Sequence, residues 1–290
     1  MIRQERDMLT FKDKTVEDAL LCPICKSRVE IIYENSGRLQ CKGPKTHSYD
    51  FASGGYVNLG APVQSGGGDS KQAVRARSDF LNTGLYEPIS DALRALLSKY
   101  LSPDALVIDA GCGEGYYSER IAADGYSLAG FDLSKFATDA AAKRAKAKGS
   151  ANAFFGVASV FSLPLADSSA DAVVNIFAPC AENEYSRVLK DGGLLFVVAA
   201  GPEHLLGLKK AIYTEIHRNE ARADMPVQMK LIHNERLTYN INVEGNESIK
   251  NLFAMTPYYW KTSQNDVQKL EALERLETEI DINFEVYQKI

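Results

Sequence analysis

Apolar side chains at Leu85, Ile89, Leu93, Leu96 and Leu97 recur at helical spacing and predict an amphipathic helix over residues 85–100. Short apolar runs then alternate with helical stretches. Residues 105–109, ALVID, end an apolar run on an acid just before several glycines, the pattern of a buried parallel strand and its turn. Further strands are predicted over 126–132, 153–157, 172–177 and 194–198. Helices are predicted over 135–148, rich in Ala and Lys, and over 181–190. Residues 231–243 alternate in part and read as a strand, and 283–287 as the last one. Between them lies an aromatic cluster, MTPYYW at 255–260, in which Trp260 reads as a core residue. Repeated β–α units of this kind imply an α/β fold, a parallel sheet covered by helices.

The front of the chain is patterned differently. Residues 1–20 are a charged lead-in without strong periodicity, and 21–60 gather cysteines, His47 and turn formers. Residues 61–72, APVQSGGGDSKQ, have the composition of a flexible linker. The expected organisation is an N-terminal extension and small domain over 1–62, a linker over 63–78, and a large domain over 79–290. No apolar run approaches the roughly 20 residues that span a bilayer, and the charged start argues against secretion, so the cytoplasm is the expected compartment. The net charge of −5 weighs mildly against nucleic acid as a partner. Its distribution changes the picture. Lys26, Arg28, Arg38, Lys42 and Lys45 outnumber Glu30, Glu34 and Asp50, and Lys71, Arg75 and Arg77 follow, so the front is mildly basic.

Three of the five cysteines fall between residues 22 and 41. Cys22 and Cys25 form a C-x2-C turn, Cys41 follows after fifteen residues, and His47 after five more. Three thiolates and one imidazole suit a tetrahedral Zn²⁺ with no open position, hence one structural zinc per chain. A block of about forty residues buries little core alone, so the metal is expected to hold it folded.

The second chemical signal is the turn after the first buried strand. Asp109, Gly111, Gly113 and Gly115 spell D-x-G-x-G-x-G. A dinucleotide fingerprint would need glycine where Tyr116 stands, and the Gly-Lys-Ser/Thr of a phosphate loop is absent. Asp132 closes the next predicted strand. In such sheets ligands lie beyond the carboxyl ends of the strands. Asp109 is then placed for a cationic ligand end and Asp132 for a ribose diol, or Asp132 serves as a strand-end or helix cap. A ligand with an ammonium and a ribose but no phosphate is S-adenosylmethionine.

DAGCGEGYYS followed by FDLSK resembles the class I S-adenosylmethionine-dependent methyltransferases. With CPICK…CKGPKTHSYDFASGGYVNL, NTGLYEPI, IFAPC, PEHLLGLK and MTPYYW, the chain is similar from about residue 20 to its end to the bacterial 23S ribosomal RNA (guanine-N1)-methyltransferases. The resemblance implies a Rossmann-like domain with a seven-stranded, mostly parallel sheet and a small zinc-binding RNA-recognition domain. It implies a donor site that includes Tyr86, the glycine loop, Tyr117, Ser118 and His204. It places the target base by Asn175, Phe177, Ala178 and Pro179, where Phe177 either stacks on guanine or packs in the core. No residue stands out as the base for the N1 proton, with His204, His217 and Glu182 as candidates. The implied partner is a large-subunit ribosomal RNA hairpin near the peptide exit tunnel. Some relatives confer antibiotic tolerance, which no residue here addresses, and a homodimer is left open. The rival readings are a small-molecule methyltransferase with a zinc accessory module and a zinc-dependent RNA-binding protein without activity.

Overall fold

The computed structural model of the chain describes residues 11–34, 37–60, 69–216, 218–219 and 228–290. Helix α1 (Lys14–Ala19) begins at Asp13, whose carboxylate accepts from the Val16 N–H at 3.0 Å. Strands β1 (Val29–Ile32), β2 (Arg38–Cys41) and β3 (Ser48–Asp50) form a three-stranded antiparallel sheet. The next strand, β4 (Val57–Asn58), leaves that sheet and pairs in parallel with Gly156 and Val157 much later in the chain.

Helix α2 (Lys71–Leu81) is capped by the Ser70 hydroxyl, and α3 (Glu87–Tyr100) carries Pro in its first turn, where no intrahelical N–H is lost. Then β5 (Leu106–Ala110), α4 (Tyr116–Ala123), β6 (Ser127–Asp132), α5 (Lys135–Lys148) and β7 (Ala153–Val157) follow as two βαβ units. α5 starts on the Ser134 hydroxyl and stops at the left-handed Gly149. β8 (Ala170–Ile176), α6 (Glu182–Val188), β9 (Leu189–Ala200) and α7 (Leu206–Ile212) continue the pattern. β10 (Met229–Glu244), α8 (Asn246–Ala254), α9 (Gln264–Glu271) and β11 (Arg275–Lys289) complete it.

The main sheet runs β10-β11-β9-β8-β5-β6-β7-β4. β4 to β9 are parallel, and β11 is antiparallel to both neighbours. Without β4 this is the seven-stranded arrangement implied by the resemblance. The eighth strand comes from the N-terminal segment. Along the central strands alternate residues face opposite layers. Val107, Leu128, Phe155 and Phe196 meet α2–α5 and α7–α9 on one face. Leu106, Ile108, Phe131, Phe154 and Val197 look the other way.

That second face explains the N-terminal segment. Residues 158–169, between β7 and β8, contain no helix, so the usual crossover cover is missing. Phe11, Val16, Leu20 and Phe51 fill the gap, with Phe11 and Phe51 edge-on to Phe154. The backbone is stitched there as well, with the Leu21 N–H on the Pro164 carbonyl at 2.8 Å. Each such buried side chain contributes roughly 1.5–3 kcal/mol. The segment that carries the Cys/His cluster is therefore packed onto the large domain's sheet. From residues 11–20, which showed no periodicity, Phe11, Val16, Ala19 and Leu20 enter the core.

The expected linker over 63–78 also changes. Residues 63–68 lie outside the described residues, while Ser70 caps a helix that runs from Lys71 across Phe80. Val74 and Phe80 are buried, so this stretch belongs to the large domain. Trp260 is exposed rather than core, edge-on to Tyr259. Tyr56, just before β4, is buried in the same cluster as Ala141, Ala142 and Ala145 of α5. Lys143 is a surface group paired with Asp139 one turn earlier on that helix.

Candidate active site

β5 delivers Asp109 to the carboxyl edge of the sheet, and the chain then turns through three glycines. Gly111, Gly113 and Gly115 have φ of 90°, 54° and 78°, the left-handed region that glycine alone enters without cost. At Gly111 space is limiting as well, because a Cβ there would stand 2.7 Å from that of Ala178. Gly115 is equally tight, a Cβ there standing 2.8 Å from Ala141, and α4 leaves the loop from Gly115 with no side-chain cap on its free N–H groups.

Two acids frame the loop. Asp132 ends β6 with one oxygen accepting from the Gly113 N–H at 3.1 Å and the other from the Ser134 N–H at 2.7 Å. Its expected role as a cap is thus real, and it orients the carboxylate beside the loop. Asp109 is fully buried, and burial pushes its carboxyl up to about 7 against the help of the Ser118 hydroxyl. Its second oxygen has no hydrogen-bond partner, nor has the buried Tyr117 hydroxyl. Orphaned buried groups of this kind at a ligand loop are places for a ligand. The donor set fits S-adenosylmethionine: a buried acid with a vacant acceptor for an ammonium, a second acid for a diol, and a glycine-lined turn between them. Ser118 is committed to Asp109, so it acts on the site through that acid.

A second group closes over the loop. Arg77 of α2 pairs with Asp69 at 2.5 Å and lies 3.9 Å from Glu114. The Ser134 hydroxyl donates to the Asp69 carbonyl at 2.8 Å. Tyr86 follows α2, buried and edge-on to Phe80, with its hydroxyl 3.4 Å from His204 Nε2. Sequence reasoning missed Arg77 and Asp69 as parts of this edge, because they lay inside an assumed linker. It also missed Tyr239 of β10, whose hydroxyl ties to the Leu85 carbonyl beside Tyr86 at 2.9 Å. The partial alternation of that strand was the only available signal.

On the far side of the loop β8 ends in Asn175, Phe177, Ala178 and Pro179. The Asn175 amide is spent inside the protein: it donates to the Pro179 carbonyl at 3.0 Å and to the Tyr185 hydroxyl at 3.1 Å. Asn175 therefore shapes the turn, and the Pro179 carbonyl is occupied. Phe177 is different. It has φ 51°, a conformation that costs a non-glycine residue energy, and 45% of it is exposed. Its ring lies nearly parallel to that of His204, with centroids 6.1 Å apart. Burial holds the His204 imidazole down at about 4, so it is neutral at pH 7. Glu182 stands apart from that pair, lining a cavity of about 450 Å³ with Phe161 and Cys180. His217 lies outside the described residues.

The four Cys/His side chains also meet. Cys22, Cys25, Cys41 and His47 bring their ligand atoms within 4.8 Å of one another. Tetrahedral Zn²⁺ with bonds of about 2.3 Å to sulfur puts sulfurs about 3.8 Å apart, so the cluster fits such an ion. The turn is built for sulfur. The Gly43 N–H donates to Cys41 Sγ at 3.2 Å, and a Cβ on Gly43 would crowd both Cys25 and Cys41. Ser27 hydrogen bonds draw the Cys25 thiol down to about 6, toward the thiolate that a metal takes.

Residues 107–193 match a methyltransferase domain family. The chain is 34% identical over 211 residues to a Micromonospora griseorubida protein provisionally named a 23S rRNA (guanine-N(1)-)-methyltransferase, covering 65% of this chain and 68% of that one. The chain belongs to the 23S rRNA (guanine-N1)-methyltransferase family. Two other members match along nearly their whole length. YxjB of Bacillus subtilis (strain 168), provisionally named for the same activity, is 28% identical over 93% of this chain and 97% of its own. The 23S rRNA (guanine(748)-N(1))-methyltransferase of Streptomyces fradiae is 28% identical over 88% and 91%. Among solved structures, the YcgJ protein of Bacillus subtilis superposes with a TM-score of 0.48 at 16% identity, covering 67% of this chain and 96% of that one. As a member of the family, the chain carries a class I methyltransferase fold, and its N-terminal segment brings the Cys/His cluster together. No helix of the described residues is long and apolar enough to cross a membrane.

Proposed function

We propose that this protein transfers the methyl group of S-adenosylmethionine to N1 of one guanine in a hairpin loop of 23S ribosomal RNA, with a structural Zn²⁺ in the Cys22–Cys25–Cys41–His47 cluster. The observation that carries it is the half-exposed Phe177 ring, held in a strained backbone conformation one residue from the Ala178 that abuts the glycine loop. Strain of this kind is kept where a site needs it. A platform beside a donor loop serves a flat acceptor, and guanine N1 is reachable only when the base is unpaired or extruded.

When bound, S-adenosylmethionine supplies an electrophilic methyl on its sulfonium. The chain's own work is positioning, since in-line transfer needs the reacting atoms about 3–3.5 Å apart. Asp132 would hold the ribose diol and the vacant oxygen of Asp109 the ammonium, and the Tyr86 and Tyr117 hydroxyls would close the donor's surroundings. Phe177 stacks on the guanine. The N1 proton must leave during transfer. His204 is a poor acceptor for it. Its Nδ1 faces the Asp281 N–H at 3.4 Å, which places the proton of the neutral ring on Nε2, toward Tyr86. The route left is solvent at the open edge beside Phe177.

The test is incubation of the purified, zinc-loaded protein with S-adenosylmethionine and unmodified 23S ribosomal RNA, followed by mapping of reverse-transcriptase stops. A donor-dependent stop one nucleotide before a loop guanine is expected. Methyl label in RNA without a stop would place the methyl on another atom. Neither label nor stop, on free RNA and on the assembled particle alike, would refute the proposal.

A further inference from the structure

His204 owes its place to a residue on a different strand. β11 enters the sheet next to β9, and Asp281 sits in β11 opposite Thr238 of β10 and next to Ile282, whose partner is Ala200 at the end of β9. Asp281 is 1% exposed. Its carboxylate accepts from Arg236 Nε at 2.5 Å and Nη2 at 2.7 Å, and from the Glu203 N–H at 2.8 Å. Its backbone completes the grip. The Gly201 N–H donates to the Asp281 carbonyl at 2.7 Å, and the Asp281 N–H faces His204 Nδ1. Gly201 lies so close to the carboxylate that a Cβ has no room there. One residue of β11 therefore holds the turn 201–204 at both ends and faces the imidazole at its tip.

A buried carboxylate costs several kcal/mol unless it is paired and hydrogen-bonded. Here a two-pronged guanidinium and a backbone N–H meet that need, and the Arg236 fork also explains why the Asp281 carboxyl is held below the usual carboxylate range. The consequence reaches the imidazole. With Nδ1 accepting, the ring proton sits on Nε2 and points at the Tyr86 oxygen, and the ring plane is fixed near parallel to Phe177. Tyr86 lies before the fold's first central strand and Phe177 after its fourth, so His204 is the piece that joins the two sides of the loop.

We infer that Asp281, clamped by Arg236, is a positioning residue for methyl transfer: it fixes the turn 201–204 and thereby the tautomer and plane of His204 between Tyr86 and Phe177. The inference rests on the proposed use of this edge for the donor, but its readouts need no RNA. The same physics orients metal-bound histidines, whose second nitrogen is fixed by a protein partner.

The experiment compares the full-length protein with Asp281→Asn, Arg236→Gln and Arg236→Lys. Nitrogen-15 chemical shifts of the imidazole report the tautomer, the His204 signals being identified by their loss in His204→Gln, and calorimetry reports affinity for S-adenosylmethionine. The wild type should show one tautomer with the proton on Nε2. Asp281→Asn and Arg236→Gln should each give a tautomer mixture and weaken donor binding about tenfold, the size of a lost charged hydrogen bond. Arg236→Lys should keep the tautomer and stay within about threefold of wild type, a partial rescue by charge without the fork. Arg236 is half-exposed, so its variants remain informative should Asp281→Asn fail to fold. A wild-type His204 protonated on Nδ1 would overturn the inference. So would an unchanged tautomer and affinity in Arg236→Gln. Donor binding and tautomer shifts as expected, in a protein that leaves RNA unmethylated, would instead sink the RNA reading alone.

Discussion

At the scale of single residues, the proposed donor edge depends on groups whose ordinary preferences are overridden. Asp109 is the clearest case. An acid whose folded-state value is raised to about 7 binds a proton between its unfolded value, near 4, and pH 7. The folded state then holds more protons than the unfolded state, so this group's contribution to stability falls as pH rises through that window. A cationic donor end reverses the preference, because it favours the carboxylate. Affinity for S-adenosylmethionine should therefore rise between pH 5.5 and 7, and calorimetry in two buffers should show proton release. Asp109→Asn should flatten the profile. Asp132→Ala removes the acceptor held by the Gly113 and Ser134 N–H groups. It should weaken donor binding by about 1–3 kcal/mol and leave RNA affinity within twofold. Equal loss of both, in a folded variant, would count against its role. Phe177→Asn tests the strained platform, because Asn tolerates a left-handed backbone. Stability should hold or rise, while kcat/KM toward RNA falls by the roughly 1–3 kcal/mol of one base stacked on an aromatic ring.

The β-strands and helices show why some of the fold was legible and some was not. β5, β6, β7 and the core of β9 are buried on both faces, so they appear in the sequence as unbroken apolar runs. The last strand was read as five residues and is fifteen. Its extra length alternates, with Arg275 and Glu277 outward and Leu276 and Thr278 inward, and charges at every second place hide a strand from a count of apolar neighbours. α2 escaped for a related reason. Its polar residues continue the composition of a glycine-rich stretch, and only Val74, Phe80 and Leu81 turn inward. The ligand set of the Cys/His cluster, in contrast, follows from local spacing, since two turns suffice to bring its atoms together. What spacing did not show is that the segment around them is welded to the large domain. Cys25→Ser should lower zinc content from one per chain, read by elemental analysis. Scanning calorimetry should then show a single transition at lower temperature, because Phe131 and Phe154 lose their cover together with the metal. Two separate transitions in the wild type would contradict that weld.

For the whole molecule, the question is what covers the second face of the sheet. The segment between β7 and β8 supplies no helix, and Phe11, Val16, Leu20 and Phe51 stand in its place. Leu20→Ala should cost about 2–5 kcal/mol in urea unfolding, the range for a fully buried leucine. The site is equally a product of the whole, since Asp109, Asp132, Phe177 and His204 lie at or just beyond the carboxyl ends of four strands that the parallel topology aligns at one edge. Residue types and spacings by themselves determined the α/β class, the glycine loop with its two acids, the Cys/His ligand set and the family, because each is written in contiguous chain or in a fixed short interval. Tertiary structure alone decided that the N-terminal segment completes the core, that the Asn175 amide is spent on the Pro179 turn while Phe177 is presented, and that Asp281 of the last strand sets His204. Those outcomes depend on which side chains meet across sheet neighbours far apart in sequence, where burial, strain and hydrogen-bond satisfaction are settled by packing and not by local preference.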